Sequence, residues 1–150
     1  MKKIISVLAI FLTFAVKAQT GQSEKTKVVD NFPKATCKVY KEGILVGIVE
    51  AMKMYKIESD GTKSHEAAIQ NKNEYCKNSY CIRLAIQKNG IILGYELPKT
   101  TQGSPAGKIE GDKIFRCKDK DCNETINSNF TFKGSVIEAA LLVNRYAFFR

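Results

Sequence analysis

Apolar and polar residues alternate in short runs along much of the chain, which is the pattern of half-buried β-strands. The clearest run is YCIRLAIQKNGIILGYEL. Its Asn89-Gly90 pair predicts a two-residue hairpin turn, because both central residues of a type I′ turn need positive φ. With that turn, six apolar residues pair across the two strands and share one face of the sheet: Ile86 with Leu93, Leu84 with Tyr95, and Ile82 with Leu97.

The segment CKVYKEGILVGIVEAMKMYKI predicts a second hairpin, which turns at Glu42-Gly43. Its register pairs two residues of the first strand with two of the second: Val39 with Val46, and Cys37 with Ile48. The second strand is long and continues to a turn at Asp60-Gly61. This hairpin therefore predicts that Lys53 lies in the middle of a strand.

The remaining segments are interpreted from capping residues and composition. Ser64 begins SHEAAIQNKNEYC, which we interpret as the start of a helix capped by that serine. The stretch PKTTQGSPAG is a loop by composition, and KIFRC and NFTFK are further strands. Near the C-terminus, Ser135 and Glu138 have capping-box spacing, which predicts a helix from Val136 onward. A fully buried strand is the alternative for this last apolar run.

Together these elements predict an α+β fold, in which a mainly antiparallel β-meander sheet carries a C-terminal helix packed on it. An all-β fold is the alternative. The first residues, MKKIISVLAIFLTFAVKAQT, have the three parts of a secretory signal peptide, which we place at residues 1–18. Residues 19–150 are then a single disulfide-stabilised β-rich domain, with residues 19–30 expected to be disordered. We expect a secreted or periplasmic bacterial protein with no transmembrane segment after signal removal.

The charge of the chain does not point to a particular class of partner. The chain has 24 Lys and Arg against 15 Asp and Glu, a net charge of +9, and loss of Lys2, Lys3 and Lys17 with the signal would leave +6. The basic residues are interleaved with acids, which is typical of a solvated surface. No Lys/Arg block or aromatic-studded basic strand indicates nucleic-acid binding, so nucleic acid is not an expected partner. Anionic glycan or lipid is kept as a minor alternative.

Five cysteines follow the signal, and two pairs of them have identical C-x4-C spacing. In an oxidising compartment, spaced pairs usually become disulfides. We therefore predict the local pairs Cys76–Cys81 and Cys117–Cys122, with Cys37 as the odd thiol, buried as a small apolar residue. The sequence leaves other pairings open, and also a four-thiolate zinc site or an intermolecular or reactive role for Cys37.

The stretch EAMKM, with Glu42-Gly43 before it and Gly61 after it, resembles the acceptor loop of biotin carrier domains. The resemblance covers residues 41–61 and implies that Lys53 would carry the cofactor. The strands that complete that family's small barrel are missing upstream and downstream. We therefore predict a structural lysine and no cofactor, and keep a biotin acceptor at Lys53 as a minor alternative.

The sequence supplies few residues for catalysis, because His65 is its only histidine and no catalytic or metal-binding motif surrounds it. The leading hypothesis is an exported, non-enzymatic binding protein. Its partner would be another protein in the envelope or outside the cell, and strand addition to an exposed sheet edge would be one mechanism of binding. The alternative is a secreted enzyme that uses Cys37 or His65.

Overall fold

The computed structural model describes residues 30–77 and 80–145. The predicted signal peptide and residues 19–29 lie outside these described residues. The described residues from Asn31 onward form one compact unit.

Ten antiparallel strands close into a barrel. In chain order they are β1 (Cys37–Lys41), β2 (Ile44–Glu50), β3 (Lys53–Ile57), β4 (Lys63–Gln70), β5 (Glu74–Lys77), β6 (Tyr80–Ile86), β7 (Ile91–Leu97), β8 (Ser104–Glu110), β9 (Lys113–Cys117) and β10 (Thr125–Gly134). Each strand pairs with its neighbours in sequence, and β10 pairs with β1, so that Cys37 lies opposite Gly134. The antiparallel meander is therefore confirmed, whereas its closure agrees with the all-β alternative.

Closure changes what the sheet offers to a partner. Every strand in the described ranges is paired on both sides. A closed barrel has no edge strand with unpaired main-chain groups. The exposed sheet edge assumed by the strand-addition hypothesis is therefore not found among these ten strands.

The C-terminal helix, α1 (Val136–Val143), begins where the sequence predicts. The Ser135 hydroxyl accepts a hydrogen bond from the main-chain N–H of Glu138, at 3.5 Å. The Glu138 carboxylate does not complete the capping box, because it accepts a bond of 2.7 Å from the Thr36 hydroxyl instead. The helix is thereby fixed to the chain just before β1.

Helix α1 lies within the barrel and not on the outside of the sheet. It contacts β1, β2 and β10, and also β6, which stands opposite β1 in the ring of ten strands. Its residues from Ala139 to Val143 are fully buried. A helix that is apolar on all sides is typical of such a buried position. The prediction of a helix packed on a sheet face is therefore corrected. No helix in the described ranges has the length and apolarity needed to cross a membrane.

The two ends of the barrel are different. We call the end that holds Thr36, Gly134 and the start of α1 the helix end. We call the opposite end, which holds the Glu42-Gly43 turn and the loop 118–124, the far end. Odd-numbered strands run from the helix end to the far end, because the meander alternates in direction.

The predicted register of the β6–β7 hairpin is wrong by one residue. The main-chain N–H of Gly90 donates to the Gln87 carbonyl, and that of Gln87 donates to the Ile91 carbonyl, both at 2.9 Å. Gly90, at φ 84°, therefore ends a three-residue loop instead of a two-residue turn. The observed pairs are Ile86 with Ile92, Leu84 with Gly94, and Ile82 with Glu96. Leu93, Tyr95 and Leu97 consequently face outward.

The first hairpin has the predicted turn but not the predicted register. Glu42 and Gly43 have φ values of 53° and 82°, as a two-residue turn requires. A bulge after Val39 then shifts the pairing, so that Val39 lies opposite Gly47 and Cys37 opposite Val49. The long second strand is also wrong, because a tight turn at Ala51-Met52 divides it into β2 and β3.

The helix predicted from Ser64 is wrong, because this segment forms β4. Ala67 and Ile69 are buried and Ala68 and Gln70 are exposed, which is the alternation of a strand with one face on the core. Pairing with β3 and β5 outweighs the local helix signal there. The stretch PKTTQGSPAG is a loop only to Gly103, after which β8 begins. The strands KIFRC and NFTFK are confirmed within β9 and β10.

Candidate functional site

A cavity of about 440 Å³ opens at the far end of the barrel. Five strands that are neighbours in the ring line it, in the order β9, β10, β1, β2 and β3. The lining residues are three cations, three apolar residues and one hydroxyl: Lys41, Lys56 and Arg116; Val46, Ile57 and Phe130; and Ser128. Its volume falls within the usual range of small-molecule sites, about 300–1,000 Å³.

Each of the three cations lies two residues after a core residue of the same strand. The pairs are Val39 with Lys41 on β1, Met54 with Lys56 on β3, and Ile114 with Arg116 on β9. Alternate residues of a strand face the same side, so the inner row that carries the buried residue also carries the cation. Because β1, β3 and β9 all run toward the far end, their cations meet there.

Few carboxylates oppose these positive charges. Lys56 forms an ion pair with Glu58 at 2.7 Å, but both side chains are exposed, so the pair contributes little. The ammonium of Lys41 lies 5.8 Å from the centre of the Phe130 ring. Neither Lys41 nor Arg116 forms an ion pair within the part of the chain that the structure describes. None of the described lining residues is acidic, and the cavity therefore favours anions.

A bulge in β10 shapes one side of the cavity. The pairing of β10 with β9 shifts between Asn127 and Phe130. At this bulge the Ser128 hydroxyl donates to the Ile114 carbonyl and accepts from the main-chain N–H of Phe130, at 3.3 Å. These two hydrogen bonds between the hydroxyl and main-chain groups stabilise the bulge. The bulge in turn places both Ser128 and Phe130 in the lining of the cavity. Ser128 is a structural residue here and not a free nucleophile.

The structure does not bring Cys37 and His65 together. Cys37 is on the inner face of β1 at the helix end, with 1% of its surface exposed. Burial, with a further effect from the Glu138 carboxylate, raises the pKa of the Cys37 thiol to about 12, which makes it unreactive. His65 is exposed on the outer face of β4, with its ring 5.6 Å from that of Tyr55. The two side chains therefore lie on opposite sides of the barrel wall and form no nucleophile–base pair.

The two predicted local disulfides are present, and Cys37 is the free cysteine. The Cα atoms are 4.0 Å apart in Cys76–Cys81 and 4.6 Å apart in Cys117–Cys122. Both bridges lie at the far end, where they link the ends of strands or close a loop. Glu74 lies close to the first bridge. All four sulfurs are bonded in pairs, which leaves no thiolate for the zinc site considered above.

Lys53 is exposed and directly follows the tight turn at Ala51-Met52. The prediction that it lies in mid-strand is therefore wrong. Its neighbours differ, because Met52 is 41% exposed whereas Met54 is fully buried in the core. A position beside a hairpin tip is what the resemblance to biotin carrier domains requires. The resemblance extends no further than this hairpin. Attachment of a cofactor at Lys53 remains a sequence-based alternative.

The cavity was not predicted, although the sequence contains a signal for it. The three cations end three similar tripeptides, VYK, MYK and IFR, at residues 39–41, 54–56 and 114–116. Each has an inward aliphatic residue, then an aromatic residue, then an inward cation. The pattern becomes informative only when all three segments are known to be strands that run in the same direction.

Comparison with other proteins adds no assignment to this geometry. The chain matches no protein-family model, no curated protein and no solved structure.

Proposed function

We propose that this protein is a non-enzymatic binding protein that holds a small, partly apolar molecule in the cavity at the far end of its barrel. The observation that carries the proposal is the cavity itself, about 440 Å³ in the mouth of a closed barrel, with apolar and cationic walls. Barrel mouths are among the preferred positions of small-molecule sites. We further propose a secreted or periplasmic location, which the two disulfides support.

The form of the barrel supports a built cavity. Helix α1 fills the helix end with apolar side chains, and the inner rows of the strands continue from that core toward the far end. The two disulfides tie the strands and the loop at the far end. Of these two bridges, Cys117–Cys122 holds the end of β9, which is one of the lining strands. A cavity with a packed floor and a fixed wall needs little reorganisation when a ligand binds, which favours affinity.

Binding is favoured over catalysis by the chemistry of the lining. The described lining presents positive charge and apolar surface, and its one side-chain hydroxyl, that of Ser128, is hydrogen-bonded to a main-chain carbonyl. A reaction that moves protons would need a placed acid or base close to a nucleophile. The described lining residues provide electrostatic attraction and apolar contact surface instead.

A small ligand is also favoured over the protein partner expected from the sequence. Strand addition to an exposed sheet edge was the mechanism considered for that partner, and the described strands are all paired on both sides. The cavity is a concave site with mixed apolar and polar walls, which suits a compact molecule.

Titration with the neutral apolar dye N-phenyl-1-naphthylamine tests this proposal. We expect saturable binding of one dye per chain, seen as enhanced dye fluorescence. Val46→Phe should abolish it by filling the cavity, because Val46 lines the wall. Val136→Phe is the matched control, since Val136 is 42% exposed at the helix end. Circular dichroism should show both variants folded. Absence of dye binding by the folded protein, or equal loss in both variants, would contradict the proposal.

A further inference from the structure

The walls of the cavity alternate around the barrel between cationic and apolar side chains. Taken in ring order, the five strands contribute Arg116, Phe130, Lys41, Val46 and Lys56. Alternate strands are about 10 Å apart, so two long basic side chains can reach a single group between them. A ligand in this cavity therefore meets positive charge and apolar surface side by side.

Apolar surface continues from the cavity to its rim. Ile44 lies opposite Lys41, and Ile126 lies opposite Arg116, so each shares the inner face with a cation. Both isoleucines are far more exposed than is usual for this residue, at 69% and 52%. An inorganic anion would leave these side chains in water, whereas a ligand with an apolar body would cover them.

The rim outside the cavity has the opposite charge. The described connections at the far end, residues 42–43, 58–62, 98–103 and 118–124, carry six carboxylates and three lysines. In the last of these, the Asp119 carboxylate accepts hydrogen bonds from main-chain N–H groups of its own loop, which lower its pKa. At the far end, the described rim connections are therefore net negative, whereas the described cavity lining is positive. A polyanion would have to lie across the acidic rim, whereas one small anionic head group can pass it.

From these observations we infer that the ligand is an amphipathic monoanion, and this inference rests on the proposed function. Its anionic head, a carboxylate or a sulfate, binds between Arg116 and Lys41. The guanidinium of Arg116 presents paired N–H donors that match such a head group. The apolar body of the ligand packs on Phe130 and Val46 and extends over the isoleucines of the rim.

Competition against N-phenyl-1-naphthylamine separates this inference from the proposed function. Decyl sulfate, decanol and inorganic sulfate are titrated, each organic ligand below its aggregation limit. We expect decyl sulfate to displace the dye at concentrations at least about tenfold lower than decanol, because charge-assisted hydrogen bonds favour the anion. Inorganic sulfate should not displace the dye. The preference for decyl sulfate should weaken at high salt.

Variants then assign the preference to named residues. Arg116→Gln or Lys41→Gln should weaken decyl sulfate binding about tenfold more than it weakens decanol binding. Lys88→Gln is the matched control, because it removes the same charge from an exposed loop at the helix end.

Three outcomes would overturn the inference: decanol binding as tightly as decyl sulfate, displacement of the dye by inorganic sulfate alone, or an equal effect of Lys88→Gln. If the folded protein does not bind the dye at all, the proposed function itself fails.

Discussion

Cys37 shows how position within the barrel sets the chemistry of a single residue. Its side chain is enclosed between the inner face of β1 and helix α1, and the Glu138 carboxylate adds to the effect of burial on its thiol. The folded protein therefore keeps the thiol protonated at pH values where an exposed thiol would ionise. This makes Cys37 a packing residue with a built-in dependence of stability on pH.

We expect the stability of the protein to fall as pH rises from about 9 toward 12. The Cys37 pKa is raised in the folded state, so only the unfolded chain releases the proton in this window. Each pH unit then costs about 1.4 kcal/mol of unfolding free energy. Urea unfolding at pH 7 to 11 measures this slope. Cys37→Ala should reduce the slope, although Tyr75, with its pKa also raised to about 12, will retain part of it.

Alkylation provides an independent check on Cys37. Iodoacetamide at pH 8 should not modify the native protein and should add one group per chain once the protein is unfolded without reduction. Rapid labelling of the native protein, or an unchanged slope in Cys37→Ala, would contradict the account of a buried thiol.

At the scale of elements, the junction between β10 and α1 depends on Gly134. This residue has φ 103°, and a Cβ there would lie 2.1 Å from the Thr36 carbonyl oxygen. Gly43 is a matched control, since its φ is 82° but its Cβ would meet open space. Gly134→Ala should therefore cost about 2–3 kcal/mol more than Gly43→Ala, because a main-chain contact must also move. Urea unfolding of the two variants measures the difference, and equal costs would contradict this account.

The turn at Glu42-Gly43 and the start of the C-terminal helix are predicted correctly from the sequence because their causes are local. Glu42-Gly43 and the cap at Ser135 depend on φ preferences and on one side chain. The predicted strand registers are wrong where one extra residue lies in a strand or loop, as at the bulge after Val39 and at Gly90. The false helix at Ser64 has the same origin, because only pairing with β3 and β5 makes that segment a strand.

At the scale of the whole molecule, the sequence does not predict barrel closure or the cavity. Closure depends on the pairing of β1 with β10, which are the first and last strands among the described residues. The cavity depends on closure, because Lys41 and Arg116 become near neighbours only when β10 stands between their strands. Neither barrel closure nor the cavity produces a local sequence pattern that is strong enough to identify it from one sequence.

The disulfides are expected to support this architecture without determining it. Each bridge joins residues five positions apart and should contribute about 2 kcal/mol. Strand pairing on both sides and the enclosed helix remain after reduction, and typical domains have about 5–15 kcal/mol in total. The reduced protein should keep its circular dichroism spectrum at 25 °C and unfold in one transition at a lower temperature. Unfolding at 25 °C on reduction alone would contradict this expectation.

The pairing of β1 with β10 also has a consequence for synthesis of the chain. A chain leaves the ribosome from its amino end, so β1 emerges long before β10 is available to it. A nascent chain that stops before Ser135 can form hairpins, but it lacks the segment that fills the interior. Until synthesis passes that point, the inner face of the growing sheet has no helix to cover it. We therefore expect a nascent chain that lacks α1 to present an open, apolar surface to chaperones.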